Sequence, residues 1–97
     1  MEMIRGKNLE EMCKPQVKVT GKASWGLGWG LLEQKRGMWI WHWGNWSGLF
    51  QHFAAVNRGT GEGIVVLTNS GNGLAFCRDF VPEAIGLNLN PLRRFFE

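Results

Sequence analysis

Hydrophobic and polar residues alternate through the middle of the chain, and this period of two is typical of strands. The alternating runs occupy 24–69 and are separated by short polar and glycine-rich segments. In the longest run, Trp39, Trp41 and Trp43 fall on one parity and His42 falls on the other. We therefore predict that 24–69 forms three to four antiparallel strands.

Two of these runs carry more specific signals. Ser24–Gln34 has aromatic and aliphatic residues on one parity and glycines on the other. It predicts one strand that either bends or has a close neighbour over its glycines. Ile64–Thr68 is apolar and largely β-branched, which is typical of a strand covered on both faces. The polar segment 16–23 predicts a linker.

Helical periodicity is confined to the two ends of the chain. Residues 4–15 predict a short amphipathic helix that Pro15 ends, because the residue before a proline is seldom helical. Residues 72–86 predict a second helix with its apolar residues on one face. Pro82 predicts a kink there, or the start of another short helix. The tail 87–97 is apolar enough to dock on the body of the domain.

These elements predict a single α+β domain over 1–97, an antiparallel sheet of three to four strands with N- and C-terminal helices. A sheet that is apolar on both faces needs two covering layers. Helices of this size supply barely one layer. The sequence therefore indicates that part of a larger fold is missing.

Composition excludes several classes of function. With 44% hydrophobic and 20% charged residues, the chain is globular. Its net charge of +3 comes from basic residues scattered along the sequence, which does not predict nucleic-acid binding. No apolar run is long enough for a membrane span, and the first residues have no signal-peptide core. The cysteines and histidines lack metal-ligand spacing, and the glycines lack a nucleotide-binding context, so we predict no metal and no cofactor.

Four short motifs follow one another through the strand region. They are Leu-Gly-Trp at 27–29, His-Trp-Gly at 42–44, Gly-Leu-Phe at 48–50, and the apolar run 63–69 before the second helix. In order and spacing they resemble the C-terminal part of the penicillin-recognising serine hydrolases. That family includes class C beta-lactamases, D-alanyl-D-alanine carboxypeptidases and related esterases. The resemblance covers roughly residues 9–86 and implies a partial beta-lactamase-like sheet domain.

The resemblance also implies an active-site wall on the strand that carries His-Trp-Gly. His42 would orient the substrate and either stabilise negative charge or relay a proton. The backbone N–H of Asn45 would be one of two oxyanion-hole donors, each worth roughly 3–4 kcal/mol of transition-state stabilisation. Trp43, Gly44 and Trp46 would line the substrate site, and Gly44 would let the substrate run close along the strand edge.

The nucleophile of that family is absent from these residues. The family's serine and its base lie in Ser-x-x-Lys on an upstream helix. Here the serines are Ser24, Ser47 and Ser70, and none has a lysine three residues later. The chain also has no tyrosine for a Tyr-x-Asn motif, and its Ser-Gly-Asn at 70–72 comes after the third motif. We therefore predict a fragment that is inactive alone.

In the family, the last strand pairs with a strand from the N-terminal part. Without that strand, Ile64–Asn69 would keep an unpaired apolar edge, which is a template for another chain. We therefore predict a homo-oligomer, or a complementing N-terminal half, joined through this edge. The alternative is a free-standing Trp-rich module that binds carbohydrate or peptide. The strand region is consistent with both, and the motif order favours the first.

Overall fold

The computed structural model describes residues 6–96, which form a six-stranded antiparallel sheet preceded and followed by helices. Each strand pairs with its neighbours in sequence, so the sheet is a meander with β1 and β6 at its edges. The α+β class and the two terminal helices are confirmed. In chain order the elements are α1 (Lys7–Met12), β1 (Val17–Thr20), β2 (Ala23–Trp25), β3 (Gly30–Gln34), β4 (Gly37–Trp46), β5 (Phe50–Asn57), β6 (Gly63–Leu67), α2 (Gly73–Ile85) and a C-terminal 3-10 helix (Asn90–Phe96).

The prediction of three to four strands was wrong, because the N-terminal part of the sheet contains two strands that it missed. The predicted strand Ser24–Gln34 is a hairpin, in which β2 pairs with β3 across the turn 26–29. Gly28 takes a φ of 82° in that turn, a conformation that favours glycine. β1 lies inside the predicted linker 16–23 and pairs with β2. The turn at Gly28 is therefore the predicted bend, and Gly30, which the Trp41 ring closely overlies, has the predicted close neighbour.

The helices differ from their predicted limits mainly at the N-terminus. α1 is shorter than the predicted 4–15, and residues 4 and 5 lie outside the described part. α2 agrees with the predicted 72–86 and ends at Gly86, which has a φ of 72°. The helix is one element through Pro82, so no second helix begins there. Since Pro82 lies in the last turn, its missing N–H removes a single bond near the helix end.

α2 and the C-terminal 3-10 helix cover one face of the sheet and form the core with it. Trp39, Trp41 and Phe53 from the sheet are each at most 2% exposed. The predicted docking of the tail 87–97 is confirmed for its described residues. Its four buried side chains are Leu87, Leu89, Leu92 and Phe96. Each contributes roughly 1.5–3 kcal/mol through burial of apolar surface.

The opposite face of the sheet, called the open face below, is largely uncovered within the described part of the chain. Val65 and Leu67 of β6 lie on this face and are 67% and 77% exposed. The prediction that Ile64–Thr68 is covered on both faces was therefore wrong for these residues. Val65 and Leu67 are exposed because α2 and the 3-10 helix both lie on the other face, so no second layer of described residues covers this one. The open face contains Ile40, His42, Gly44, Trp46, Phe50, His52, Ala54, Val56, Val65 and Leu67.

Asn57 holds the turn between β5 and β6. Its side chain is completely buried, and its Oδ1 accepts hydrogen bonds from the backbone N–H groups of Gly59 (2.8 Å) and Thr60 (3.0 Å). Its Nδ2 donates to the carbonyl of Arg36 at 3.5 Å, which links this turn to the β3–β4 turn. One side chain therefore connects two hairpins.

Replacing Asn57 with alanine is expected to lower the free energy of unfolding by about 2 kcal/mol, because two partly buried N–H groups lose their acceptor. Urea denaturation followed by circular dichroism measures this change. Asn88→Ala is the control. Its Oδ1 also accepts a bond from a backbone N–H two residues later, but the site is exposed and water can replace it. Equal losses in both variants would contradict the role of Asn57.

Candidate functional site

β4 extends beyond its neighbour β3, and this difference leaves one side of its C-terminal end unpaired. β3 begins at Gly30, which lies opposite Trp41. Residues 42–46 therefore pair with β5 alone. The ring of Trp25 lies near this end, with its centroid 5.8 Å from that of Trp43. The end of β4 is thus a strand edge in the middle of the sheet.

The hydrogen-bonding phase of the β4–β5 ladder decides which backbone groups face this edge. The N–H of Arg58 donates to the carbonyl of Met38 (2.9 Å), and these residues continue the β4–β5 register. In an antiparallel ladder the hydrogen-bonded pairs alternate. The backbone groups of His42 therefore point towards β5. Those of Trp43 and Asn45 point to the side that β3 does not reach.

His42 projects from the open face with its ring held in one orientation. Its Nδ1–H donates to the carbonyl of Trp43 at 2.8 Å. A carbonyl can only accept, so Nδ1 carries the proton and Nε2 of the neutral ring keeps its lone pair. Trp29 makes an edge-to-face contact with this imidazole at 5.9 Å between centroids. The site therefore contains an exposed imidazole that can accept a proton.

His52 occupies the space above Gly44 on the open face. The two residues are paired in the β4–β5 register, and a Cβ at Gly44 would overlap the His52 ring. Any larger residue at this position would have to displace that imidazole. The His52 ring therefore blocks the open face above Gly44, and a ligand would approach Gly44 from the strand edge.

The five residues that the sequence places in the site lie on two faces of one strand. His42, Gly44 and Trp46 belong to the open face, where Trp46 is 68% exposed and packs beside Phe50. The Trp43 indole lies on the covered face, 4.9 Å from the ring of Phe95. The Asn45 side chain accepts a bond from the N–H of Gly48 (3.0 Å), which braces the hairpin turn.

A shallow groove of about 330 Å³ runs over the open face past both histidines, between Trp29 and β6. A second depression of about 340 Å³ continues it along Ala54 and Val65. Trp29 borders both, and sequence reasoning missed it as a site residue. The one sequence feature that points to Trp29 is its place in the Leu-Gly-Trp motif, which lies inside the predicted strand Ser24–Gln34.

The described residues contain no assembled nucleophile. No hydrogen bond joins His42 to a serine among residues 6–96, and the Ser70 hydroxyl accepts instead from the N–H of Asn72 (3.0 Å). Burial raises the pKa of the Cys77 thiol, which keeps it protonated and unreactive. Among the same residues, no three potential ligands are grouped to hold a metal ion.

None of the helices within 6–96 has the length and apolar character needed to cross a membrane. Comparison of the chain with family models, curated proteins and solved structures gives no match. The chemistry of the β4 end therefore has to be inferred from its own residues and from the motifs around it.

Proposed function

We propose that this chain is the C-terminal part of a serine hydrolase of the penicillin-recognising type. It supplies the His-x-Gly strand and one oxyanion-hole amide, and it is inactive alone because it lacks Ser-x-x-Lys. The observation that carries the proposal is the free end of β4. There an exposed imidazole with an available Nε2 and the outward N–H of Asn45 lie three residues apart on one strand.

These two groups fit different steps of acyl transfer. The Asn45 N–H would donate to the carbonyl oxygen of the substrate as it becomes negative, and such a donor is worth roughly 3–4 kcal/mol. The Nε2 of His42 would accept or return a proton near the leaving group. The second amide and the attacking hydroxyl would come from the N-terminal part. Without that nucleophile, at most about 10³–10⁴-fold catalysis over water remains, and only in a complete binding site.

The outer edge of β6 is a suitable place for the N-terminal part to dock. The Asn57 N–H donates to the carbonyl of Glu62 (2.7 Å), which fixes the phase of the β5–β6 ladder. The backbone groups of Gly63, Val65 and Leu67 consequently point outward. A strand paired there would continue the sheet, and the polypeptide carrying it would cover the open face. α2 packs over β5 and β6 and has an exposed stacked pair, Phe76 and Phe80. This pair would offer the N-terminal part a second apolar contact.

In the absence of that part, a second copy of the chain would pair with β6. We expect the chain to self-associate at high concentration and Val65→Lys to weaken the association by roughly 100-fold, because a lysine beside an edge opposes strand pairing. Sedimentation velocity measures this difference.

Val17→Lys is the matched control, since Val17 lies on the opposite edge strand and is 61% exposed, against 67% for Val65. It should leave the association unchanged. A monodisperse monomer for the unmodified chain, or equal effects of the two lysines, would contradict pairing through β6.

The alternative proposal is a free-standing Trp-rich module for carbohydrate or peptide. The exposure of Trp46 and Trp29 favours it, whereas the burial of Trp39 and Trp41 in the core removes two candidates for a binding platform. The coding sequence upstream of Met1 distinguishes the two proposals. An in-frame Ser-x-x-Lys followed by Tyr-x-Asn is expected for the hydrolase. A promoter directly before the start, without those motifs, would favour the module.

A further inference from the structure

Two adjoining depressions lie where the β3–β4 hairpin meets the segment after α2. Their volumes are about 410 Å³ and about 900 Å³, and Asn88 and Pro91 line both. They form one groove, called the Asn88 groove below. The Gln34 side chain fixes its floor by donating to the Asn88 carbonyl (2.6 Å) and accepting from the Asn88 N–H (3.2 Å). The groove is therefore held between two parts of the fold that are distant in sequence.

Basic side chains that are scattered in the sequence gather around this groove. Glu33 is the one acidic residue in its lining. Arg36 is partly neutralised by an exposed ion pair with Glu62. The other basic residues make no ion pair with a carboxylate in the described part of the chain. The basic residues of the lining are Lys22, Lys35, Arg36, Arg93 and Arg94.

This arrangement concentrates the charge of the protein. Five basic residues stand against Glu33 and Glu62, an excess of three, which equals the net charge of the whole chain. A groove lined mostly by one sign of charge attracts ligands of the opposite sign and raises their association rate. The ligand class that fits is therefore acidic.

We propose that the Asn88 groove binds an extended acidic peptide segment of a partner protein. Basic residues line both of its depressions, where they can meet successive carboxylates. The exposed Asn88 and Asn90 side chains also line the groove and offer amide groups to a peptide backbone. A single-stranded nucleic acid fits less well, because it needs exposed aromatic rings for base stacking. Here Trp39 is buried and Phe95 packs on Trp41 and Trp43.

The test is fluorescence anisotropy of a labelled oligoglutamate peptide titrated with the whole chain at about 0.1 M ionic strength, where the Debye length of about 10 Å limits the influence of distant charges. We expect saturable binding that weakens as salt is added. Replacing four groove residues with glutamine should weaken it at least roughly tenfold, since each exposed pair contributes little but four act together. That variant is Lys22→Gln, Lys35→Gln, Arg93→Gln and Arg94→Gln.

A control variant removes the same number of positive charges at exposed positions outside the groove, and it is Lys7→Gln, Lys14→Gln, Lys18→Gln and Arg58→Gln. It should bind within about threefold of the unmodified chain. Thermal unfolding of both variants establishes that they fold. The proposal is overturned by equal losses in the two variants, by the absence of saturable binding, or by tighter binding of an oligothymidylate through the same groove residues. None of these outcomes bears on the hydrolase proposal.

Discussion

Gly30→Ala is expected to remove about 3 kcal/mol from the free energy of unfolding, at the upper end of the usual cost of overpacking. A Cβ at Gly30 would overlap the six-membered ring of Trp41. That ring is 1% exposed and is held by Trp25 and Phe95, with centroids 5.1 Å and 5.7 Å away. Because the ring is buried between these two neighbours, any movement of it would disturb the packing of the core. Because domains have only about 5–15 kcal/mol of stability, urea denaturation should detect a large shift.

The control for this prediction is a double-mutant cycle with Trp41→Leu. Leucine leaves the space above Gly30, so the added methyl group should cost less than about 1 kcal/mol in that background. The difference between the two costs measures the contact between Gly30 and Trp41. Equal costs in the two backgrounds would show that the glycine is required for another reason.

The chain alone is expected to hydrolyse neither nitrocefin nor a p-nitrophenyl ester above the rate in buffer. Removing the nucleophile of a serine hydrolase lowers kcat by roughly 10⁶, and these residues contain no Ser-x-x-Lys. A spectrophotometric assay at high protein concentration measures the rate. His42→Ala is the matched control. Hydrolysis that exceeds the buffer rate and falls in this variant would contradict a missing nucleophile.

The three C-terminal strands could be predicted from the sequence because β4 and β5 are ten and eight residues long and β6 is a continuous, largely β-branched run. The alternation around Trp41 correctly placed the three tryptophans at 39, 41 and 43 on one face of β4 and His42 on the other. β1 and β2 were missed because they have four and three residues, too few to show a period. The glycines of this segment fitted a packed strand as well as a bend. Both occur, since Gly28 lies in the β2–β3 turn and Gly30 lies under the Trp41 ring, and only the strand pairing reveals which glycine does which.

The parts of the site that the sequence did not predict depend on contacts between strands. His42 could be placed on a face by parity alone. The contact with Trp29, the ring of His52 over Gly44 and the bond to the Trp43 carbonyl depend on register and on turn geometry. The basic lining of the Asn88 groove was missed for the same reason, because its residues come from distant parts of the sequence.

We propose that the attacking hydroxyl lies outside residues 1–97. The polypeptide translated from the complete reading frame is treated with a fluorescent penicillin, which acylates a nucleophilic serine, or with a fluorophosphonate, which phosphonylates it. Mass spectrometry then locates the labelled serine. We expect the label on a serine upstream of Met1, and we expect the chain alone to stay unlabelled. A label on Ser24, Ser47 or Ser70 would contradict this proposal.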